Sequence, residues 1–219
     1  MRRAPALALG AALAAAPAVA RAEQAGACHC YQDRTFDPER PAAADPYILA
    51  TARSSLVSAA FGVAKRELVG AVMTGTAADD LLLAHWAGAR LGQAASALLS
   101  ERKVRPWSSL LSGAAGLPGP IEAALKAGAP DAELARLVVE AVLASRAGAT
   151  PAELAALRAA GAATNEAILA VALAKRVGTS PAGVAAPVRA GRSSWGALLR
   201  SFGLEAKGVD GLVRQAIGG

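Results

Sequence analysis

The amino-acid sequence predicts an all-α protein of short helical hairpins, stacked as a small α-solenoid or an irregular helical bundle. Hydrophobic residues make up 54% of the 219 positions, but alanine, the strongest helix former, supplies many of them and aromatic residues only 4%. Strand patterns are nearly absent, because no alternating run of β-branched or aromatic residues reaches five positions. Helix boundary signals also recur about thirty residues apart, which is typical of helical repeats.

Residues 1–22 have the three parts of a secretory signal peptide. Arg2 and Arg3 precede an uncharged apolar stretch over residues 4–20, and Ala20 and Ala22 are small residues at the positions that a signal peptidase reads. An uncleaved membrane anchor would need about 20 strongly apolar residues, and this stretch is shorter and mostly alanine. We therefore expect cleavage after Ala22 and a mature protein in the periplasm or outside the cell.

The expected mature chain has an ordinary charge. Removal of residues 1–22 leaves 197 residues and takes away three arginines, so the formal net charge falls from +6 to +3. Such a charge does not indicate nucleic acid as a partner. A helix-turn-helix interpretation of residues 193–203 is disfavoured, because its second helix offers only Arg200 to a DNA groove. No segment after the signal peptide is apolar for long enough to span a bilayer.

Residues 23–44 are polar and contain several prolines, which predicts an extended arm, and this arm carries both cysteines of the chain. Cys28, His29 and Cys30 allow three interpretations. An oxidising compartment favours a disulfide between Cys28 and Cys30, although so small a ring would be strained. Two thiolates and an imidazole are also ligands for a soft metal such as Cu or Zn. Free or intermolecular thiols are the third alternative, and a lipid on Cys28 is disfavoured because polar residues separate it from the apolar stretch.

Two helices are predicted after the arm. Asp45-Pro46 opens the first, with the carboxylate as its cap, and Gly62 ends it. Its predicted apolar stripe comprises Ile48, Leu49, Ala52, Leu56 and Ala59. The second helix is predicted over 65–73, with Gly75 as its end.

The remaining chain repeats its helix boundaries. Residues 145–161 align without gaps on residues 175–191: a glycine ends one helix, a hydroxyl residue caps the next, and proline takes its first turn. A second glycine ends that helix, and Thr150 with Glu153 forms a capping box. The residues predicted to define the structural repeat are Gly92, Trp107, Gly148, Thr150, Pro151, Gly161, Gly178, Ser180, Pro181, Gly191 and Trp195.

A third, weaker copy precedes these two. Residues 79–92 lie opposite residues 165–178, and each is followed by a tryptophan helix with two leucines, at Trp107 and at Trp195. The predicted helical domain therefore spans residues 45–219, with units at about 79–125, 131–161 and 165–217. Because so alanine-rich a unit cannot bury its own face, the units must pack on one another. We expect the tryptophans, Trp86 included, to lie in the core.

The order of helix, Gly, Ser/Thr-Pro, short helix, Arg-x-x-Gly, Ser-Trp, Leu-Leu and Gly resembles a motif of uncharacterised exported bacterial helical-repeat proteins. The similarity covers residues 166–204 well and residues 79–117 partly. The opening "CHCYQDRTFDP" followed by "DPYILAT" is similar to such proteins too. The resemblance implies no activity.

Charged residues recur near the predicted helix ends. Asp79 and Asp80 begin a helix and are predicted to cap it. A cation near a helix C-terminus favours the helix dipole, so the recurring arginines have a structural interpretation beside a functional one. These arginines are Arg90, Arg102, Arg146, Arg158, Arg176 and Arg189.

Motifs of catalysis are absent from the sequence. It contains no Gly-rich phosphate loop, Gly-x-Ser-x-Gly elbow or His-Glu-x-x-His, and His29 and His85 are its two histidines. We therefore expect a non-catalytic exported protein without a cofactor, which presents a helical surface to an envelope or secreted protein. The alternative is a periplasmic metal-binding or thiol-redox protein that acts through Cys28, His29 and Cys30.

Overall fold

The computed structural model describes residues 31–218, and within that range the chain is helical with no strands. The all-α prediction is confirmed. The predicted signal peptide and the Cys28-His29-Cys30 segment lie outside the described residues. The α-helices are α1 (Asp45–Phe61), α2 (Lys65–Met73), α3 (Ala78–Leu91), α4 (Ala95–Arg102), α5 (Trp107–Leu110), α6 (Gly119–Lys126), α7 (Asp131–Val142), α8 (Pro151–Ala159), α9 (Thr164–Val177), α10 (Pro181–Arg189), α11 (Trp195–Ser201) and α12 (Val209–Gly218).

Helices α1 and α9 form the centre of the molecule. In α9, residues 168–174 are all buried. In α1, the buried residues include the polar Thr51, Arg53, Ser55 and Ser58 beside the apolar ones. The predicted apolar stripe of α1 faces the core: Ile48, Ala52 and Leu56 are fully buried, and Leu49 and Ala59 are half-buried against it. Burial extends beyond the stripe because α1 is packed on several sides.

The first and last helices pack against each other. Helix α12 lies against both α1 and α9, and α1 also contacts α2, α3, α9 and α11. In a linear solenoid each repeat contacts only its neighbours. The contact between α1 and α12 instead closes the chain on itself, which is the arrangement of an irregular helical bundle. Within residues 31–218, no helix combines the length and the hydropathy needed to cross a bilayer.

The two tryptophan-containing segments fold through the same order of elements. Helices α3 and α9 have 14 residues each, and each is followed by a helix of eight or nine residues, a tryptophan helix and a last helix. Trp107 and Trp195 both begin their helices and are 0% and 1% exposed. The segment between them has α7, a π-helical continuation at Leu143–Ala147, and α8. No pattern in the sequence predicted this π-helical turn.

The predicted boundary residues stand at helix ends. Gly148 and Gly178 take the left-handed conformation, with φ of 75° and 72°, immediately after a helix. Thr150 and Ser180 accept backbone N–H groups of the following helices, and Thr150 with Glu153 forms the predicted capping box. The same conformation recurs after helix ends at Gly92, Gly161 and Gly191, and Pro151 and Pro181 are the first residues of their helices.

Residues 31–44 lie against helix α11. The hydroxyl of Ser194 donates a 2.5 Å hydrogen bond to the carbonyl of Pro41. The guanidinium of Arg200 lies over the ring of Phe36, at 5.6 Å. The side chain of Phe36 and the carbonyl of Pro41 both lie 3.1 Å from where a Cβ of Gly196 would be, so a larger residue would require these neighbours to shift by a few tenths of an ångström. The rings of Tyr31 and of Tyr47 in α1 also meet edge to face, with centroids 6.4 Å apart, so contacts with two helices hold the segment on the helical domain.

Candidate functional site

The acidic residues at the start of α3 bind other parts of the chain. Asp79 and Asp80 lie in the first turn of α3, where a carboxylate favours the helix dipole as predicted, but neither caps the helix with a side-chain hydrogen bond, so the predicted capping bond is wrong. Asp80 Oδ1 instead accepts the indole N–H of Trp107 at 2.6 Å and Nε of Arg102 at 3.1 Å. Arg102 also bonds Asp131 at the start of α7. These partners come from elements distant in sequence, which is why the local pattern did not reveal them.

The same arrangement recurs in the C-terminal segment. Glu166, the third residue of α9, accepts the indole N–H of Trp195 at 3.2 Å and the guanidinium of Arg189 at 3.1 Å. It also accepts the backbone N–H of Ala163 at 2.8 Å and is 7% exposed. Asp80 is likewise the third residue of α3. In each segment, one carboxylate thus binds the tryptophan and an arginine of the same segment. These contacts hold the helices of the segment together.

A buried arginine joins the two segments. Arg53 of α1 is 8% exposed and bonds Asp79, the second residue of α3. Its other terminal nitrogen donates to Oδ1 of Asn165, the second residue of α9, at 3.2 Å. Equivalent positions of α3 and α9 therefore contact one central side chain, which fixes both helix starts against α1.

The histidine and carboxylate residues of the described range form no metal-ligand cluster. His85 is half-buried on α3, where burial lowers its pKa and nearby Glu67 opposes that effect. Across residues 31–218 there is no group of three or more His, Cys, Asp or Glu side chains arranged to hold an ion. The predicted ligands Cys28, His29 and Cys30 lie outside the described residues, so their metal or disulfide state stays a prediction.

The six recurring arginines separate into two classes. Arg102, Arg158 and Arg189 form ion pairs with carboxylates of neighbouring helices. The other three, each two residues before a left-handed glycine, are exposed and form no ion pair with any residue of the described range. These are Arg90, Arg146 and Arg176. Because these guanidinium groups are exposed and have no carboxylate partner within that range, their N–H groups can bind an external anion.

Two of these unpaired arginines line one open groove. Arg90 of α3 and Arg146 of the π-helical turn border a cavity of about 390 Å³, which is within the range of ligand sites. Phe61, the last residue of α1, supplies its accessible aromatic surface, and Trp86 of α3 lies beneath as a core residue that is 3% exposed. The guanidinium of Arg90 lies over the Trp86 ring at 4.6 Å, a cation–π contact that orients it. Ser145 also lines the groove, and its hydroxyl donates to the carbonyl of Val142 at 3.3 Å.

The charge of the groove is positive and moderate. None of its lining residues is acidic, and two are arginines. Helices α1 and α3 and the π-helical turn all end at the groove, and each helix C-terminus carries about half a negative charge that falls off within one turn. The two guanidinium charges exceed what these helix ends offset. The groove is therefore suited to bind an anionic group next to an apolar one.

This groove was not predicted from the sequence. The sequence feature that could have pointed to the groove is Arg-x-Gly, which recurs at 90–92, 146–148 and 176–178 and identifies the three arginines as equivalent. The tertiary structure brings the first two together and leaves Arg176 outside the lining of the groove. Phe61 and Ser145 had no distinguishing pattern. A second cavity, between α7, α8 and α9, holds only about 10 Å³, room for about one water molecule.

Comparisons with known protein families, with curated proteins and with solved structures found no match for this chain. Residues 31–218 form a helical bundle with internally similar segments and a cationic groove at the C-terminal ends of three helical elements.

Proposed function

We propose that this chain is an exported, non-catalytic binding protein whose groove at Arg90 and Arg146 receives a partner protein of the cell envelope or the secreted fraction. The observation that carries the proposal is the presence of two unpaired, exposed arginines beside Trp86 in one open groove. Export follows from the signal-peptide pattern of residues 1–22, and the similarity to exported bacterial helical-repeat proteins supports it.

Site-specific photocrosslinking tests this function. A photoreactive amino acid replaces Ala89, which lines the groove and is exposed, in the full chain expressed in a bacterium with an envelope. The matched control places it at Ala132, which is exposed at the opposite end of α7 from the π-helical turn. We expect a discrete adduct from position 89 that is lost when Arg90 and Arg146 are both replaced by glutamine. Equal adducts from positions 89 and 132, or none from position 89, would contradict the proposal.

A second candidate function rests on the Cys28-His29-Cys30 segment, whose closely spaced thiols and imidazole suit soft-metal binding or thiol exchange. Thiol titration and metal analysis of the mature protein test it. We expect Cys28→Ser with Cys30→Ser to abolish metal uptake or thiol exchange and to leave the helical circular-dichroism spectrum unchanged. A wild-type protein that shows neither property would remove this candidate and leave the groove proposal intact.

A further inference from the structure

The charge balance of the groove favours a ligand with one negative charge. Arg90 and Arg146 bring two positive charges, and the three helical elements that end there offset part of them. Phosphate groups are usually bound at helix N-termini, where backbone N–H groups point at the ligand. This groove has helix C-termini instead, so a carboxylate fits it better than a phosphate dianion.

The anion-binding group lies directly over an aromatic surface. The Arg90 guanidinium is 4.6 Å from the centre of the Trp86 ring, and Phe61 lines the same cavity. A guanidinium stacked on a ring keeps its edge N–H groups available for a carboxylate, which it can bind through two parallel hydrogen bonds. The ligand must therefore carry its carboxylate within a few ångströms of an apolar group.

A chain end meets this requirement better than an internal acidic residue. In an extended peptide, successive side chains point to opposite sides. The residue adjacent to an internal Asp or Glu would therefore point away from the groove, and the next residue on the same side would lie about 6.6 Å farther along the peptide. The last residue of a chain carries its carboxylate and its side chain on the same Cα atom, so both can reach the groove side by side.

We propose that the groove binds the C-terminal end of a partner protein, with the terminal carboxylate held by Arg90 and Arg146 and an apolar last side chain against Phe61. This inference rests on the proposed function and assigns the class of ligand that the same groove takes.

Binding of a matched pair of short peptides tests the inference. The probes are the tripeptide acetyl-Gly-Leu-Phe with a free carboxylate and the same tripeptide as its C-terminal amide, titrated into the mature chain and followed by NMR. We expect the free acid to bind about tenfold more tightly than the amide, since charge-assisted hydrogen bonds are lost in the amide. Inorganic phosphate should displace the acid only weakly.

Three variants and one control variant locate the site. Arg90→Gln and Arg146→Gln should each weaken binding of the free acid about five- to tenfold and leave the weak affinity for the amide nearly unchanged. Arg176→Gln, at the equivalent exposed position outside the groove lining, is the matched control and should leave both affinities unchanged. Phe61→Ala should weaken binding of the free acid and of the amide by similar factors.

Equal affinities for acid and amide, no saturable binding of the acid, or an equal loss in Arg176→Gln would overturn the inference, as would phosphate competing as well as the acid peptide does. If photocrosslinks from position 89 persist while the acid binds no better than the amide, the ligand class is wrong and the proposed function stands. If the crosslinks are absent too, both fail.

Discussion

The carboxylate of Asp45, the first residue of α1, accepts the backbone N–H of Trp195, the first residue of α11, at 3.0 Å. Its second oxygen accepts the N–H of Gly196 at 2.8 Å. Asp45 makes no side-chain cap of its own helix, so the predicted capping role is wrong, and it caps a helix 150 residues away instead. Burial raises the pKa of Asp45, the two backbone hydrogen bonds oppose that effect, and the nearby Glu166 carboxylate adds to it.

Replacing Asp45 tests the strength of this long-range cap. Asp45→Ala leaves the N–H groups of Trp195 and Gly196 without their acceptor, and we expect the free energy of unfolding to fall by about 1–2 kcal/mol. Urea unfolding followed by circular dichroism measures the change. The control is Glu122→Ala, which removes an exposed ion pair with Lys126 and should change stability by less than about 0.5 kcal/mol. A loss no larger than that of the control would contradict the capping role.

The buried carboxylate of Glu166 should matter more than its counterpart Asp80. The Glu166 carboxylate accepts hydrogen bonds from Ala163, Arg189 and Trp195, and Glu166→Gln places an amide N–H₂ against one of these donors. We expect the free energy of unfolding to fall by about 2–3 kcal/mol. The side chain of Asp80 is 24% exposed against 9% for Glu166, so Asp80→Asn should cost about half as much.

Thermal and urea unfolding of both variants check this order. The control Glu122→Gln disrupts an exposed pair with Lys126 and should stay within about 0.5 kcal/mol of the wild type. Equal losses in all three variants would show that burial of Glu166 does not determine its contribution.

Asp210 should make the protein less stable in acid. Burial opposes its ionisation, but hydrogen bonds from Ser55, Arg214 and Lys65 outweigh burial and lower the pKa to about 2, against an ordinary value of 3.8. A carboxyl whose folded pKa is lowered stabilises the fold above the unfolded pKa, and this contribution is lost as pH falls from about 4 to 2. The side chain is one-third exposed, so we expect only about 1 kcal/mol after solvent screening.

The measurement is the free energy of unfolding from urea titrations between pH 2 and pH 5, for the wild type and Asp210→Asn. The variant should lose less stability than the wild type over this interval, because its amide does not titrate. Parallel curves for the two proteins would mean that Asp210 does not carry this pH dependence.

The left-handed glycines of the repeat can be distinguished from an ordinary helical glycine. A Cβ added at Gly148 or at Gly178 would have no neighbouring atom within 4 Å. Gly148→Ala and Gly178→Ala should therefore each lower the free energy of unfolding by about 1–2 kcal/mol through backbone strain alone. Gly70→Ala, inside α2 and equally free of neighbours, should instead stabilise the protein by about 0.5–1 kcal/mol. Thermal unfolding compares the three variants, and a loss of stability in Gly70→Ala would contradict the backbone argument.

Local chemistry explains which features were predictable. The ends of α1 and α2, the caps at Thr150 and Ser180, and the glycines that follow helices depend on a few adjacent residues, so the sequence patterns placed them well. The capping bonds of Asp45, Asp79 and Asp80 were predicted wrongly for the complementary reason. Each carboxylate met a stronger donor, an arginine or free N–H groups, from an element distant in the chain.

The amino-acid sequence by itself determined the helices, their boundaries, the internal similarity of the segments and the equivalence of Arg90, Arg146 and Arg176, because these depend on contacts within a turn or on spacing. The tertiary structure decided that α1 and α9 are central, that α12 returns to α1, and that two of the three equivalent arginines share a groove with Phe61 and Trp86. Packing chooses among many arrangements of similar alanine-rich helices by the fit of side chains far apart in the chain, and no local pattern encodes that choice.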